Sequence, residues 1–240
     1  MRILFIYHGS RLKDNNQQYE IICRNIALLL PQHDIYSSYL NFSNLLFDDC
    51  LDHLLSNGPQ VLIVPLFFFN AKHTKEDIPN IINKNKKKHL NTQINLINIS
   101  HSFTASMLDE INQQRLASTQ KTTVIIIGRG SSDHSAVNLF NEHIEGVSSN
   151  LDSITLSAFC DMAQPNLNEC LKQSAHNKST HIVIFPYFLF KGKLLDDICT
   201  DISLFKKSHS NIKVSLCEPF GYHKNFAQTI SNELSENFLI

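Results

Sequence analysis

Short apolar runs alternate along the chain with longer segments in which apolar residues recur every three or four positions. Apolar runs of this length, rich in Val, Ile and Phe, are typical of β-strands buried on both faces. The predicted strands of the first half are Ile3–Tyr7, Ile35–Leu40, Val61–Phe68 and Ile94–Ile99. Those of the second half are Val124–Ile127, Ile154–Phe159, Ile182–Leu189 and Val214–Cys217.

The segments between these runs have the spacing of amphipathic helices. In the first helix of each half the apolar steps are three, four and three, at Tyr19, Ile22, Ile26 and Leu29 and at Val137, Phe140, Ile144 and Val147. Second helices are indicated by Leu46, Cys50 and Leu54 and by Leu167, Cys170 and Leu171. The remaining predicted helices are Asp77–Lys88, Phe103–Leu116, Leu195–Lys207 and Asn225–Phe238.

The chain repeats itself once. The pair Gly9-Ser10 recurs as Gly130-Ser131, 121 positions later, and the Val61 run recurs at Ile182 with the same offset. Two matches at one offset indicate an internal duplication. We therefore predict an N-terminal lobe at 1–118 and a C-terminal lobe at 122–240, separated by a polar segment without apolar periodicity.

The alternation of strand and helix predicts an α/β fold of two similar lobes. Each lobe would contain a four-stranded parallel sheet flanked by helices, with right-handed crossovers. In such folds ligands bind at the carboxyl ends of the strands. The residues that directly follow the strands are therefore the candidates for function.

Composition narrows the function further. The net charge of -1 does not favour a nucleic-acid partner. The six cysteines form no CxxC pair, which indicates reduced thiols and a cytoplasmic protein. No apolar stretch approaches the roughly 20 residues of a membrane span. The segment Gly128–Asp133 has neither the third glycine of a dinucleotide-binding loop nor a Gly-Lys-Ser/Thr ending, so a nucleotide site is disfavoured.

Two histidines follow strands of the first lobe. His8 follows the first strand and His73 follows the third, so both are expected at one rim of the sheet. Neutral imidazoles suit a divalent ion such as Fe²⁺, Co²⁺, Ni²⁺ or Zn²⁺, or proton transfer near neutral pH. Ser10 and the amides after it would face an anion near a helix N-terminus. The alternative, that each histidine is only a solvated or capping residue, remains open.

These motifs together resemble the sirohydrochlorin chelatases, class II enzymes that insert Fe²⁺ or Co²⁺ into sirohydrochlorin. That family opens with a strand followed by His-Gly-Ser-Arg, which is present at 8–11. It also has a Pro-Leu-Phe segment followed by a histidine and then Asp-Ile-Pro, which corresponds to 65–79. A matching Pro-Tyr-Phe-Leu segment starts at Pro186 in the second half. The resemblance covers essentially the whole chain.

The resemblance implies a two-lobed chelatase with the tetrapyrrole between the lobes and His8 and His73 as metal-holding and catalytic residues. Arg129 and Leu194 occupy the equivalent positions of the second lobe, so the first lobe alone keeps the pair. The family's glutamate after the second strand is replaced by Asn41, which could ligate weakly but cannot act as a base. Ala71 replaces the usual glycine of the third-strand motif.

Sirohydrochlorin is a polycarboxylate, so cationic residues at strand ends are expected to bind it. The candidate substrate-binding residues are Ser10, Arg11, Arg129, Lys191 and Lys193. The implied protein is a cytoplasmic, monomeric lyase without a prosthetic group, with Fe²⁺ as metal substrate in siroheme formation. Three alternatives remain: cobalt insertion for cobalamin, a non-catalytic tetrapyrrole or metal carrier, and a two-lobed solute- or nucleotide-binding protein of similar topology.

Overall fold

The structure is a computed structural model that describes residues 1–67, 76–99, 103–115 and 121–238. The segment around His73 and Ala71, with the predictions made for it, lies outside these ranges. The described residues form two four-stranded parallel sheets with helices between the strands.

The strands of the first sheet are β1 Arg2–Tyr7, β2 Asp34–Tyr39, β3 Gln60–Pro65 and β4 Gln93–Leu96. Those of the second are β5 Thr122–Gly128, β6 Ile154–Phe159, β7 His181–Pro186 and β8 Lys213–Leu216. The first sheet has the strand order β2-β1-β3-β4 and the second has the equivalent order β6-β5-β7-β8. The six pairings between these described strands are all parallel.

Each strand is followed by a helix. The helices of the first half are α1 Lys13–Leu29, α2 Phe47–Ser56, α3 Ile78–Lys88 and α4 Phe103–Arg115. Those of the second half are α5 His134–Ser148, α6 Leu167–His176, α7 Lys193–Ser208 and α8 Phe226–Asn237. The predicted fold class of two similar α/β lobes is confirmed, and α1 and α5 begin 121 residues apart as the duplication requires.

The burial of the central strands explains why helices alternate with strands along the chain. Ile3–Ile6 in β1 and Val124–Ile127 in β5 are fully buried, although successive side chains point to opposite faces. Both faces of each sheet must therefore be covered by helices, which parallel crossovers supply. Among the described residues, no helix has the length and apolar character that crossing a bilayer requires.

The last helix of each half, α4 and α8, belongs mainly to the compact unit that contains the sheet of the other half. One unit contains Met1–Phe103 and Lys224–Ile240, and the other contains Thr104–His223. The C-terminal helix α8 therefore belongs to the unit of the first sheet, and nearly all of α4 belongs to the unit of the second. The lobes predicted at 1–118 and 122–240 follow the sequence repeat, and the exchange of closing helices is the reason that the compact units are bounded differently.

Side-chain contacts show the exchange directly. The Phe226 ring of α8 lies 5.0 Å from the Phe103 ring at the start of α4, within the first unit. In the second unit, Arg115 of α4 donates to the carbonyl oxygen of Asp152 at 2.6 Å. A helix with one apolar face can cover either sheet, so its place in the sequence does not determine which sheet it covers.

A histidine is buried at the start of β7. His181 has no exposed surface, and its Nε2 lies 3.0 Å from the Ser215 hydroxyl oxygen. Its Nδ1 is buried without a hydrogen-bond partner in the part of the chain that the structure describes. Burial first, and then the charge of Lys213, lower the pKa of this imidazole below its usual range. His181 therefore stays neutral in the folded protein at pH values where an exposed histidine binds a proton.

We predict that His181 makes the fold sensitive to mild acid. Between about pH 6.5 and the lowered pKa, the unfolded chain binds a proton that the folded chain does not. The free energy of unfolding is thus fully retained above about pH 6.5 and falls below it, by at most about 1.4 kcal/mol per pH unit for this residue. Urea unfolding of the wild type and of His181→Gln, measured from pH 7.5 to 5, should show a steeper loss in the wild type. Parallel curves for the two proteins would contradict this role.

Candidate functional site

The chain segments that follow β1 and β2 meet at one rim of the first sheet. The Leu40 amide donates to the Tyr7 carbonyl and the Asn41 amide donates to the His8 carbonyl, both at 3.0 Å. The strand pairing thus continues past the strand ends. It brings the backbone of Asn41 alongside that of His8.

This approach requires glycine at position 9. Gly9 has a φ of 85°, and a Cβ built there would lie 1.9 Å from the carbonyl oxygen of Asn41. Any side chain would therefore force the two segments apart. The Gly9 turn directs the chain away from the rim immediately after His8.

The His8 side chain is half-buried at the rim. Its Nδ1 lies 3.1 Å from the Gly9 carbonyl oxygen, so a protonated Nδ1 can donate to it. In that tautomer the ring's electron pair is on Nε2, the form in which imidazole binds divalent metals. The geometry is compatible with His8 as a metal ligand.

Phe42 was not recognised from the sequence as part of the rim. Its backbone has a φ of 58°, and its ring lies 6.0 Å from the His8 ring. The Arg11 guanidinium carbon lies 5.2 Å from the centre of the Phe42 ring, a cation–π contact. The Phe42 ring therefore contacts both His8 and Arg11. The left-handed backbone recurs at Met162 in the second lobe, and neither residue type indicates it in the sequence.

Ser10 is engaged within its own turn. Its hydroxyl oxygen accepts from the Leu12 amide at 3.1 Å, and the Asn15 side-chain amide lies 3.4 Å from it. These contacts stabilise the start of α1. The hydroxyl can still donate its own proton to a ligand.

The second sheet has the same backbone arrangement without a histidine. Arg129 follows β5, Asp161 follows β6, and the Asp161 amide donates to the Arg129 carbonyl at 2.9 Å. Gly130 has a φ of 89°, and a Cβ there would lie 1.8 Å from the Asp161 carbonyl oxygen. Arg129 is exposed at this rim, in the position that His8 has in the first sheet.

Both predicted substrate-binding lysines have acidic neighbours. Lys191 Nζ lies 2.8 Å from a Glu218 carboxylate oxygen and 4.6 Å from the centre of the Tyr222 ring. Lys193 Nζ lies 2.7 Å from a carboxylate oxygen of Asp197, one helical turn later. Exposed ion pairs of this kind contribute about 0–1 kcal/mol, so a polyanionic ligand could replace either partner.

The structure places His8, Ser10, Arg11 and Asn41 at the rim of the first sheet and Arg129, Lys191 and Lys193 after strands of the second. Within the described ranges, no group of three or more His, Cys, Asp and Glu side chains is arranged to hold a metal ion. Since His73 lies outside those ranges, its pairing with His8 stays a prediction.

Comparison with known proteins shows which family and which relatives this chain resembles. The family model described as CbiX matches residues 2–118 and 123–237. A sirohydrochlorin cobaltochelatase from Priestia megaterium is 27% identical, covering 99% of this chain and 79% of the relative. A sirohydrochlorin ferrochelatase from the same organism is 24% identical, covering 97% of this chain and 88% of the relative.

A solved structure has the same fold. The structure of SirB from Bacillus subtilis with Fe³⁺ superposes with a TM-score of 0.84 at 21% identity, covering 98% of this chain and 94% of that one. The likeness therefore extends over both sheets and not over one lobe alone.

We predict that Gly9→Ala destabilises the rim while a matched glycine substitution does not. The added methyl would clash with the Asn41 carbonyl and strain the positive φ, a cost of at least about 2 kcal/mol. Gly146, exposed in α5, has no atoms within 4 Å of an added Cβ, so Gly146→Ala should stabilise by roughly 0.5–1 kcal/mol. Urea midpoints of the two variants should move in opposite directions, and equal shifts would exclude the proposed close approach.

Proposed function

The chain belongs to the CbiX family, and on that premise we propose that it inserts a divalent metal ion into sirohydrochlorin, with Fe²⁺ as the principal metal substrate. The single observation that carries this proposal is the position of His8 at the rim of the first sheet, where its carbonyl oxygen accepts a hydrogen bond from the Asn41 amide. Relatives at 24–27% identity over nearly the whole chain are named as chelatases of this tetrapyrrole.

Metal insertion needs a ligand that holds the ion without retaining it and a group that accepts protons from the two pyrrole N–H groups. In our proposal His8 and His73 perform both roles, because a neutral imidazole is a moderate ligand and a base near neutral pH. Asn41 contributes a carboxamide oxygen as a weak ligand and no proton acceptance. The chain therefore relies on its histidines for steps that an additional carboxylate could share.

The carboxylates of the substrate would be bound by cations at the strand ends. Arg11 stacks on Phe42 beside His8, which reduces the conformational entropy lost when its guanidinium binds a carboxylate. Arg129 occupies the position equivalent to His8 in the second sheet. Lys191 and Lys193 would exchange their present acidic partners for the substrate, and Ser10 would donate its hydroxyl proton.

Two alternatives follow from specific observations. The cobaltochelatase relative is 27% identical to this chain and the ferrochelatase relative is 24% identical, which favours Co²⁺ as the second metal substrate. The replacement of the family's glutamate by Asn41 favours a carrier that binds the tetrapyrrole or the metal without turnover.

For the chelatase itself, we propose a monomeric enzyme of the cytoplasm that needs no prosthetic group.

We expect purified protein to accelerate metal insertion into anaerobic sirohydrochlorin, measured from the visible spectrum with Fe²⁺ and Co²⁺ in separate reactions. His8→Ala and His73→Ala should each lower the rate by about 100-fold or more, since each removes a ligand and a proton acceptor. His53→Ala, a substitution of an exposed histidine on α2, is the matched control and should leave the rate unchanged. Binding of the macrocycle with no rate above the uncatalysed reaction for either metal would replace the enzyme by the carrier.

Asn41→Glu should raise the insertion rate by up to about tenfold, because a carboxylate adds a charged ligand and a second proton acceptor beside His8. Asn44→Glu adds the same charge at an exposed position three residues later and serves as the control. The measurement is the initial rate at saturating sirohydrochlorin. Equal effects of the two substitutions would show that net charge, and not the place of the carboxylate, changes the rate.

A further inference from the structure

Three polar side chains connect the His8 turn to the helix and strand that flank it. The side-chain amide of Asn16, in the first turns of α1, forms two hydrogen bonds with the backbone of Ser10. Its Oδ1 accepts from the Ser10 amide at 2.9 Å, and its Nδ2 donates to the Ser10 carbonyl at 2.9 Å. The residue two positions after His8 is thus held on both sides by one side chain.

The second connection runs through Tyr39 at the end of β2. This side chain is 1% exposed, and its hydroxyl donates to a carboxylate oxygen of Glu20 at 3.0 Å. The same hydroxyl lies 3.4 Å from the Asn16 carbonyl oxygen. The ring lies beneath the turn, with Cδ1 3.6 Å from the position that a Cβ on Gly9 would take.

Glu20 on α1 is the acceptor of this hydrogen bond. Glu20 is exposed at the surface of α1, so the carboxylate remains solvated while it accepts the bond.

The duplicated lobe provides an internal comparison. The register of β5 with β6 pairs Gly128 with Phe159, as β1 with β2 pairs Tyr7 with Tyr39, so Phe159 is the equivalent of Tyr39. At the helix offset of 121, Val137 is the equivalent of Asn16 and Asn141 is the equivalent of Glu20.

The second lobe keeps the turn and loses the polar connections. The hydroxyl oxygen of Ser131 still accepts from the amide two residues later, at 3.0 Å, as Ser10 does. Neither Val137 nor Phe159 has a polar side-chain atom. The buried Oδ1 of Asn141 has no hydrogen-bond partner in the described ranges. The backbone of the turn therefore does not need these polar groups, and they occur together only in the lobe that has a histidine at the turn.

From this contrast we infer that Asn16, Glu20 and Tyr39 are positioning residues that fix the His8 turn for metal handling. They touch neither ion nor macrocycle; they restrict the motion of Gly9 and Ser10 and thereby the orientation of the His8 ring. The inference deepens the proposed function and rests on it for the part that concerns turnover. The effect of these three residues on the order of the turn does not depend on which reaction the protein catalyses.

The test introduces the second lobe's residues into the first, as Asn16→Val and Tyr39→Phe. Hydrogen exchange followed by mass spectrometry compares peptides that cover 4–16 and 125–137. In Asn16→Val the Ser10 amide loses its acceptor, and its exchange should be about tenfold faster. The hydrogen exchange of the 125–137 peptide should be the same as in the wild type. Tyr36→Phe removes a hydroxyl from a partly exposed position on the same strand and should alter neither peptide.

Two further measurements separate positioning from plain packing. Co²⁺ titration of the protein alone, followed through the visible bands of bound Co²⁺, should show about tenfold weaker binding in both variants and no change in Tyr36→Phe. In the insertion assay kcat should fall by a similar factor while KM for sirohydrochlorin stays constant. Unchanged exchange at Ser10, or faster exchange with unchanged Co²⁺ binding, would overturn the inference. If the wild-type protein shows no insertion activity, the proposed function is refuted. The positioning role is then decided by the hydrogen-exchange and Co²⁺-binding results.

Discussion

Burial of both sheet faces is the constraint on which the rest of the molecule depends. Ile3–Ile6 and Val124–Ile127 are fully buried on alternating faces, so neither central strand presents a polar side chain over these four residues. Helices must cover both faces, and the strands must run parallel for single helices to connect them. Chemical groups can then lie only where the strands end. His8 and Arg129 each stand directly at such an end, and this is why the candidate residues of both lobes lie in equivalent places.

The rim adds a second constraint, since two chain segments continue side by side beyond the last paired residues. The contact between the His8 carbonyl and the Asn41 amide requires a turn with no Cβ, and Gly9 supplies it. The second sheet meets the same requirement with Gly130. The turn is therefore a property of the fold and not of the metal chemistry. The two rims differ in the side chain placed before the glycine, which is His8 in the first sheet and Arg129 in the second.

Much of this architecture could be predicted because it depends on local patterns. The strand Ile154–Phe159 was predicted with the bounds that it has, and the offset of 121 predicted two equivalent sheets. The exchange of α4 and α8 could not be predicted, because an apolar helix face does not specify which of two similar sheets it covers. The rim position of His8 followed from its place directly after a predicted parallel strand. The bond between Tyr39 and Glu20 did not, since it depends on how a helix and a strand face one another across the core.

The duplication also explains how the two lobes can differ in their rim side chains at little cost to the fold. Most of the stabilising burial is in strands and helices that both lobes keep, whereas a hydrogen bond at the rim contributes only about 0.5–1.5 kcal/mol. Phe159 replaces a tyrosine ring by a ring of nearly the same volume, so the packing beneath Gly130 is retained without the hydroxyl. Asn141 still presents a polar oxygen at the position where the first lobe has Glu20. Arg129 stands at the position that His8 has in the first lobe, on the same backbone arrangement. The two lobes therefore differ in the side chains at the rim and not in the backbone that carries them.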